Sequence, residues 1–111
     1  MNSLRLSAAT QSDLSEIKSY IAKGLENPTA ALSVMRKITQ DIRRLREYPL
    51  MGTPLRAVAD VETDYRFLTT GNYLTFYRVC GKNIYVERVL YGRSDYLSTL
   101  LGDAVPDDSE E

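Results

Sequence analysis

Arg66, Arg78 and Arg88 interrupt apolar and aromatic runs in the stretch Tyr65 to Leu101, and Arg93 follows the last run. Arginine is costly to bury without a partner, so this density in so short a segment calls for anionic company. Glu87 and Tyr91 lie in the same stretch. Metal-free cleavage of an RNA phosphodiester needs a base for the 2′-hydroxyl proton, an acid for the leaving oxygen and cations on the phosphate. The candidate catalytic set is Arg66, Arg78, Glu87, Tyr91 and Arg93, with Glu87 as base and the arginines as phosphate clamps. The competing reading makes Arg66, Arg78 and Glu87 a cross-strand ion-pair network with no chemistry. The chain has no histidine, which removes the usual acid–base side chain near neutral pH. No metal or cofactor is expected, and binding without catalysis is the preferred reading.

The elements that would position these residues are three short strands joined by tight turns, then a brief C-terminal helix. Thr70-Gly71-Asn72 suits a three-residue hairpin that sets Thr69 opposite Tyr73, and Gly81-Lys82 sets Val79 opposite Ile84. Strand alternation then sorts the side chains. One face takes Tyr65, Phe67, Tyr73, Thr75, Tyr77, Val79, Ile84, Val86, Arg88 and Leu90. It is the more apolar and is expected to meet helices, with Arg88 needing a carboxylate or carbonyl partner. The other takes Arg66, Leu68, Leu74, Phe76, Arg78, Tyr85, Glu87, Val89 and Tyr91. From it the expected partner-binding surface is Arg66, Leu68, Leu74, Phe76, Arg78, Val89 and Tyr91, with Arg93 at its edge. Most of the eight tyrosines are expected to pack across strands with the hydroxyl at the rim.

The helices come earlier in the chain. Ser3 to Ser7 alternates polar and apolar residues and suits a short strand. Thr10 or Ser12 would cap a first helix carrying Leu14, Ile17 and Ile21, which Gly24 stops. Asn27 and Pro28 open a second helix. Its residues Ala31, Met35, Ile38, Ile42 and Leu45 form one apolar stripe. The short link between the helices predicts an antiparallel hairpin. Arg43, Arg44 and Arg46 read as a solvated helix face in preference to a phosphate patch. Tyr48-Pro49 ends the second helix, and Leu50, Met51 and Leu55 are expected to pack down in the loop that follows. Ser94 or Asp95 would cap the last helix, whose apolar face is Leu97, Leu100 and Leu101.

A chain of 111 residues with a formal charge of −1 fits one domain. The end Asp103 to Glu111 carries five acids and no base, so residues 1–102 alone stand at +4. That is too mild a field for docking on RNA through phosphate contacts alone. Residues 1–102 are read as a single α+β domain, and residues 103–111 as an acidic, disordered, solubilising tail. The single Cys80 suits a reducing compartment. No run reaches the length of a membrane span, and a cytoplasmic location is expected.

The order strand, helical hairpin, three-stranded antiparallel meander and short helix resembles the RelE/ParE superfamily of type II toxin–antitoxin toxins. The resemblance is carried by Asp13-Leu14 with Ile17 and Tyr20-Ile21, by Asn27-Pro28 with Ala31, and by Tyr48-Pro49-Leu50-Met51-Gly52. It continues through Tyr65-Arg66, Gly71-Asn72-Tyr73, Phe76-Tyr77-Arg78-Val79 and Arg88-Val89-Leu90-Tyr91-Gly92-Arg93 before Asp95. It implies a growth-inhibiting toxin of a plasmid-stabilisation-like module, neutralised by a cognate antitoxin. RelE-like members cleave mRNA on the ribosome, whereas ParE-like members poison DNA gyrase. Against the RelE-type site, Arg66 falls on a basic position, but Leu68, Leu74 and Ser94 fall where other cations are expected. Leu100 falls near the place of that site's C-terminal tyrosine. The resemblance is therefore closer to the ParE branch and implies action by binding gyrase. The alternatives are a ribosome-dependent mRNA endonuclease and a non-toxic interaction module.

Overall fold

The computed structural model describes residues 2–24 and 28–102. The expected Asn27 cap and the acidic segment 103–111 lie outside the described residues. Strand β1 (Ser3–Leu6) leads into helix α1 (Ala8–Ser19), which continues as a π-helical segment over Tyr20–Gly24. Helix α2 spans Pro28–Arg44, with Pro28 in the first turn, where its missing N–H costs nothing. A two-residue strand β2 (Thr53–Pro54) and a 3₁₀ turn (Leu55–Ala57) precede the meander. The meander is β3 (Arg66–Thr70), β4 (Tyr73–Cys80) and β5 (Asn83–Tyr91), followed by α3 (Tyr96–Leu101).

The sheet is five-stranded in the order β1-β5-β4-β3-β2. Strand β1 lies parallel to β5, with Leu4 opposite Ile84, and β2 closes the far edge against β3. The meander is thus extended at both sides, once by the N-terminal strand and once by part of the expected loop. Helices α1 and α2 cover one face. Ile17, Ile21, Ala31, Ile38, Ile42 and Leu45 meet Leu68, Tyr77, Ile84, Val86 and Val89 in one buried cluster. The α2 stripe is buried as its spacing predicts, with Met35 packed against the cluster.

Helix α1 begins earlier than expected. Ser7 is the cap, its Oγ accepting from the Thr10 amide at 2.9 Å, so Thr10 and Ser12 lie inside the helix. The reason lies in β5, whose edge β1 covers only as far as Val86. Beyond that point the first turns of α1 take over. Thr10 Oγ1 donates to the Val86 carbonyl at 3.0 Å, and Ser7 Oγ to the Glu87 carbonyl at 2.8 Å. The Val89 amide donates to Asp13 Oδ2 at 3.0 Å. Ser7, Thr10 and Asp13 recur every three residues on one side of the helix and stand in for a missing neighbour strand.

Two departures in register reset the faces of the sheet. The first hairpin turns on two residues, Gly71 and Asn72, so Thr70 and not Thr69 opposes Tyr73. Gly71 supplies a φ of +59°, a conformation other residues resist. The second hairpin turns on Gly81-Lys82 with Val79 opposite Ile84, as expected. Further along, Phe76 opposes Arg88 while Tyr77 opposes Val86, leaving Glu87 as an extra residue, a β-bulge. The one-residue shift in β3 turns Arg66 and Leu68 toward the helices and Phe67 away. The bulge likewise turns Val89 and Tyr91 inward and Arg88 and Leu90 away.

In the loop after α2, Leu55 is fully buried and Met51 packs against the core, but Leu50 is 63% exposed. Tyr77 anchors this loop. Its hydroxyl donates to the Pro49 carbonyl at 2.8 Å and accepts from the Gly52 amide at 2.9 Å. A Cβ on Gly52 would stand 2.6 Å from that oxygen and 2.8 Å from the Phe67 carbonyl, so glycine is required for close approach.

Candidate functional site

The residues singled out by the sequence divide between the two faces of the sheet. On the face away from α1 and α2, Arg78 binds Asp64 through Nε at 2.9 Å and Nη2 at 3.3 Å. It also lies 5.3 Å from the centre of the Tyr65 ring. Asp64 lies just before β3, and Arg78 opposes Tyr85 on β5. Glu87 follows Tyr85 by two residues on the same face. Its charge is felt at both neighbours: burial first, then Glu87, holds the Tyr65 hydroxyl above the ordinary tyrosine range. The hydrogen bonds to Asp64 first, against a lesser burial penalty, hold the Arg78 guanidinium above its usual value, with Glu87 assisting. Arg78 therefore pairs with Asp64, and the Arg66–Arg78–Glu87 network of the competing reading does not form.

The expected single surface is corrected by the register. Leu68 and Val89 are 8% and 1% exposed and belong to the core beneath the helices. Phe76 stays on the far face but is fully buried, between Phe67 and Tyr96 of α3 with ring centres 6.0 and 5.4 Å away. This contact fixes α3 to the sheet, with Leu97, Leu100 and Leu101 half-buried. Leu74 is half-buried on the far face, and Arg93 is exposed in the turn before α3. Tyr91 lies at the end of β5, 44% exposed and edge-on to Tyr73 at 5.8 Å.

Arg88 finds the carboxylate that its position demanded. Its Nε and Nη2 each stand 2.8 Å from an oxygen of Asp13, which is 8% exposed. Those bonds outweigh a lesser burial penalty and raise the affinity of Arg88 for its proton. Arg88 is thereby committed to the frame and is not a free clamp.

Arg66 lies on the helix-side face, opposite Tyr77. Its Nη2 donates to the Leu50 carbonyl at 3.1 Å. Its Nε is shielded from solvent and has no acceptor. It borders a cleft of about 230 Å³ lined by Leu50, Pro54, Arg56, Thr63, Asp64, Tyr65, Arg66 and Val79. Neither Arg56 nor Asp64 was singled out from the sequence. Asp64 finds its partner Arg78 14 residues away, where no local spacing points to it, and Arg56 lies in a segment without pattern. Among the described residues no group of His, Cys, Asp and Glu could hold a metal ion. No helix there is long and apolar enough to cross a membrane.

A five-stranded α+β sheet backed by a helical hairpin, with α3 against its far face, defines the RelE/ParE type of small toxin. Residues 4–96 match the family model of the ParE toxin of the type II toxin–antitoxin system parDE, and the chain belongs to that family. A chain from the chromosomal ParDE toxin–antitoxin system of P. aeruginosa is 25% identical, with a TM-score of 0.68, and the alignment covers 82% of this chain and 96% of that one. YafQ from E. coli strain BL21(DE3) shares the fold at 16% identity and a TM-score of 0.54, over 82% of this chain and 93% of that one. No curated protein matches the sequence. As a ParE-family toxin the chain has a cognate antitoxin for a partner.

Proposed function

We propose that this toxin stops growth in the cytoplasm by binding DNA gyrase, without cutting nucleic acid, and that it serves a plasmid-stabilisation-like module. The observation that carries this reading is the separation of Arg66 from Glu87. Alternation from Leu68 puts Arg66 on the helix side, while Glu87 stands on the far face beside Arg78 and Tyr65. A nuclease needs its base and phosphate clamps converging on one oxygen within hydrogen-bond reach. Here Arg88 is held by Asp13 and Arg78 by Asp64, so neither arginine is an uncommitted clamp beside Glu87. The far face instead offers Leu74, Tyr85 and Leu90 around charged neighbours, a composition suited to holding a protein.

Induction of the toxin in cells lacking its antitoxin tests this. The expected result is an SOS response with gyrase–DNA cleavage complexes, undiminished in Glu87→Ala. A second reading rests on Glu87, Tyr65 and Arg78 lying together on one face: a ribosome-dependent mRNA endonuclease with Glu87 as base. Codon-phased cuts in translated mRNA, lost in Glu87→Ala, would establish that reading and refute ours. Growth unaffected by induction would leave only a non-toxic interaction module.

A further inference from the structure

We propose that the cleft between the loop Leu50–Arg56 and the start of β3 is a carboxylate pocket that takes one acidic side chain of the cognate antitoxin. The inference rests on the toxin reading for its partner and on the cleft alone for its chemistry.

Three features of the cleft point to this ligand. Arg66 lines the cleft with its guanidinium steadied by the bond from Nη2 to the Leu50 carbonyl, while its Nε–H lies shielded from solvent without an acceptor. A planar guanidinium held in this way is set to receive an oxygen anion in a defined direction. Arg56, exposed on the 3₁₀ turn, lines the same cleft and forms no ion pair among the described residues. Leu50, Pro54 and Val79 supply an apolar part of the wall for the methylene stem of a glutamate or aspartate, beside Thr63, Asp64 and Tyr65.

The loop itself is made rigid from below. Tyr77 holds Pro49 and Gly52 from within the core, so both arginines are presented on a fixed frame. The one acid in the lining, Asp64, is already neutralised by Arg78 at 2.9 Å.

A phosphodiester strand fits less well. Its neighbouring phosphates would pass the exposed acids Asp60, Glu62 and Asp64, and the +4 charge of residues 1–102 gives little long-range attraction. A single carboxylate on a protein avoids that repulsion.

The test uses the full chain labelled with ¹⁵N and follows the Arg66 Nε–H resonance during titration with glutarate, and separately with inorganic phosphate. Glutarate should shift that resonance saturably, and Arg56→Gln, which removes no bond of the fold, should weaken the effect about fivefold, the scale of one part-exposed ion pair. The same variant should weaken binding of the antitoxin by a similar factor while the amide spectrum stays native. No shift with glutarate, or tighter binding of phosphate than of glutarate, overturns the carboxylate pocket. A glutarate response with unchanged antitoxin affinity in Arg56→Gln overturns the choice of partner while leaving the toxin reading standing. Binding of glutarate only after deletion of residues 103–111 assigns the pocket to the chain's own acids and also overturns the proposal.

Discussion

Asp13 grips Arg88 at two points, with both contacts at 2.8 Å, although 75 residues separate them in the chain. The same carboxylate accepts the Val89 amide at 3.0 Å, so one side chain closes an ion pair and finishes a strand edge. Breaking a buried pair from one side costs about 3–5 kcal/mol. The Arg88 side chain keeps 28% of its surface exposed, which lowers the expectation for Asp13→Ala to about 2–3 kcal/mol. Asp13→Asn retains an acceptor for Val89 and should cost about 1–2 kcal/mol. Urea unfolding at neutral pH measures both. Equal stability of Asp13→Ala and the parent would remove the pair from the account of the fold.

Tyr77→Phe tests the anchor of the loop after α2. The substitution leaves the ring in the core but strips the buried Gly52 amide of its acceptor. An orphaned buried donor costs about 1–3 kcal/mol. Amide exchange at Gly52 should accelerate more than exchange at Ile38 or Val86 in the centre of the core. Uniform acceleration throughout the chain would show a global loss and no local anchor. Antitoxin binding should weaken with the loop if the arginine cleft is its seat.

Alkaline pH offers a test of the far-face tyrosine. Burial and the nearby Glu87 raise the Tyr65 hydroxyl, and burial with Tyr20 and Tyr91 raises that of Tyr73. A group raised in the folded state holds its proton longer there than in the unfolded chain. Its stabilising contribution is present below the ordinary tyrosine value, about 10, and is lost as pH climbs through the folded value. The melting temperature should therefore fall as pH rises through that window. Tyr65→Phe and Tyr73→Phe should each make the fall shallower, as followed by circular dichroism. An unchanged slope in both variants would contradict the assignment.

Much of this fold was legible because long-period patterns survive small errors in local geometry. The α2 stripe from Ala31 to Leu45, Pro28 in the first helical turn and the Gly81-Lys82 hairpin all behave as their spacing implies. The site was less legible because it depends on parity, and parity changes with a single residue. A two-residue turn at Gly71-Asn72 was enough to send Arg66 to the helix side. The need of Arg88 for an acid was readable, but the identity of Asp13 was not. It lies on a helix whose N-cap is chosen by the uncovered edge of β5, a contact across 80 residues from Ser7 to Glu87. Tyr77 gave no sign of being an anchor, since nothing local to β4 distinguishes its hydroxyl from those of Tyr73 or Tyr85.

Glu87 carries the sharpest structural prediction, because it is the extra residue of the bulge and also the candidate base of the rival mechanism. Deleting it would restore regular alternation between Phe76 and Tyr77 and their partners. Val86 would still face in, Arg88 out and Val89, now 1% exposed, into the core, so the pairing of β5 with β4 would run on unbroken. The deletion should consequently give a dispersed amide spectrum, at a cost of about 0.5–1.5 kcal/mol for the lost bond from Ser7 Oγ to the Glu87 carbonyl. Glu87→Gln keeps the residue count and should fold with stability within about 0.5 kcal/mol of the parent, as surface substitutions usually do. A deletion variant without a dispersed amide spectrum would show that the fold requires the bulge. A folded Glu87→Gln variant that keeps full toxicity separates the two uses of this position: the backbone at 87 forms the bulge and receives the Ser7 hydroxyl, while the carboxylate is dispensable for a toxin that acts by binding.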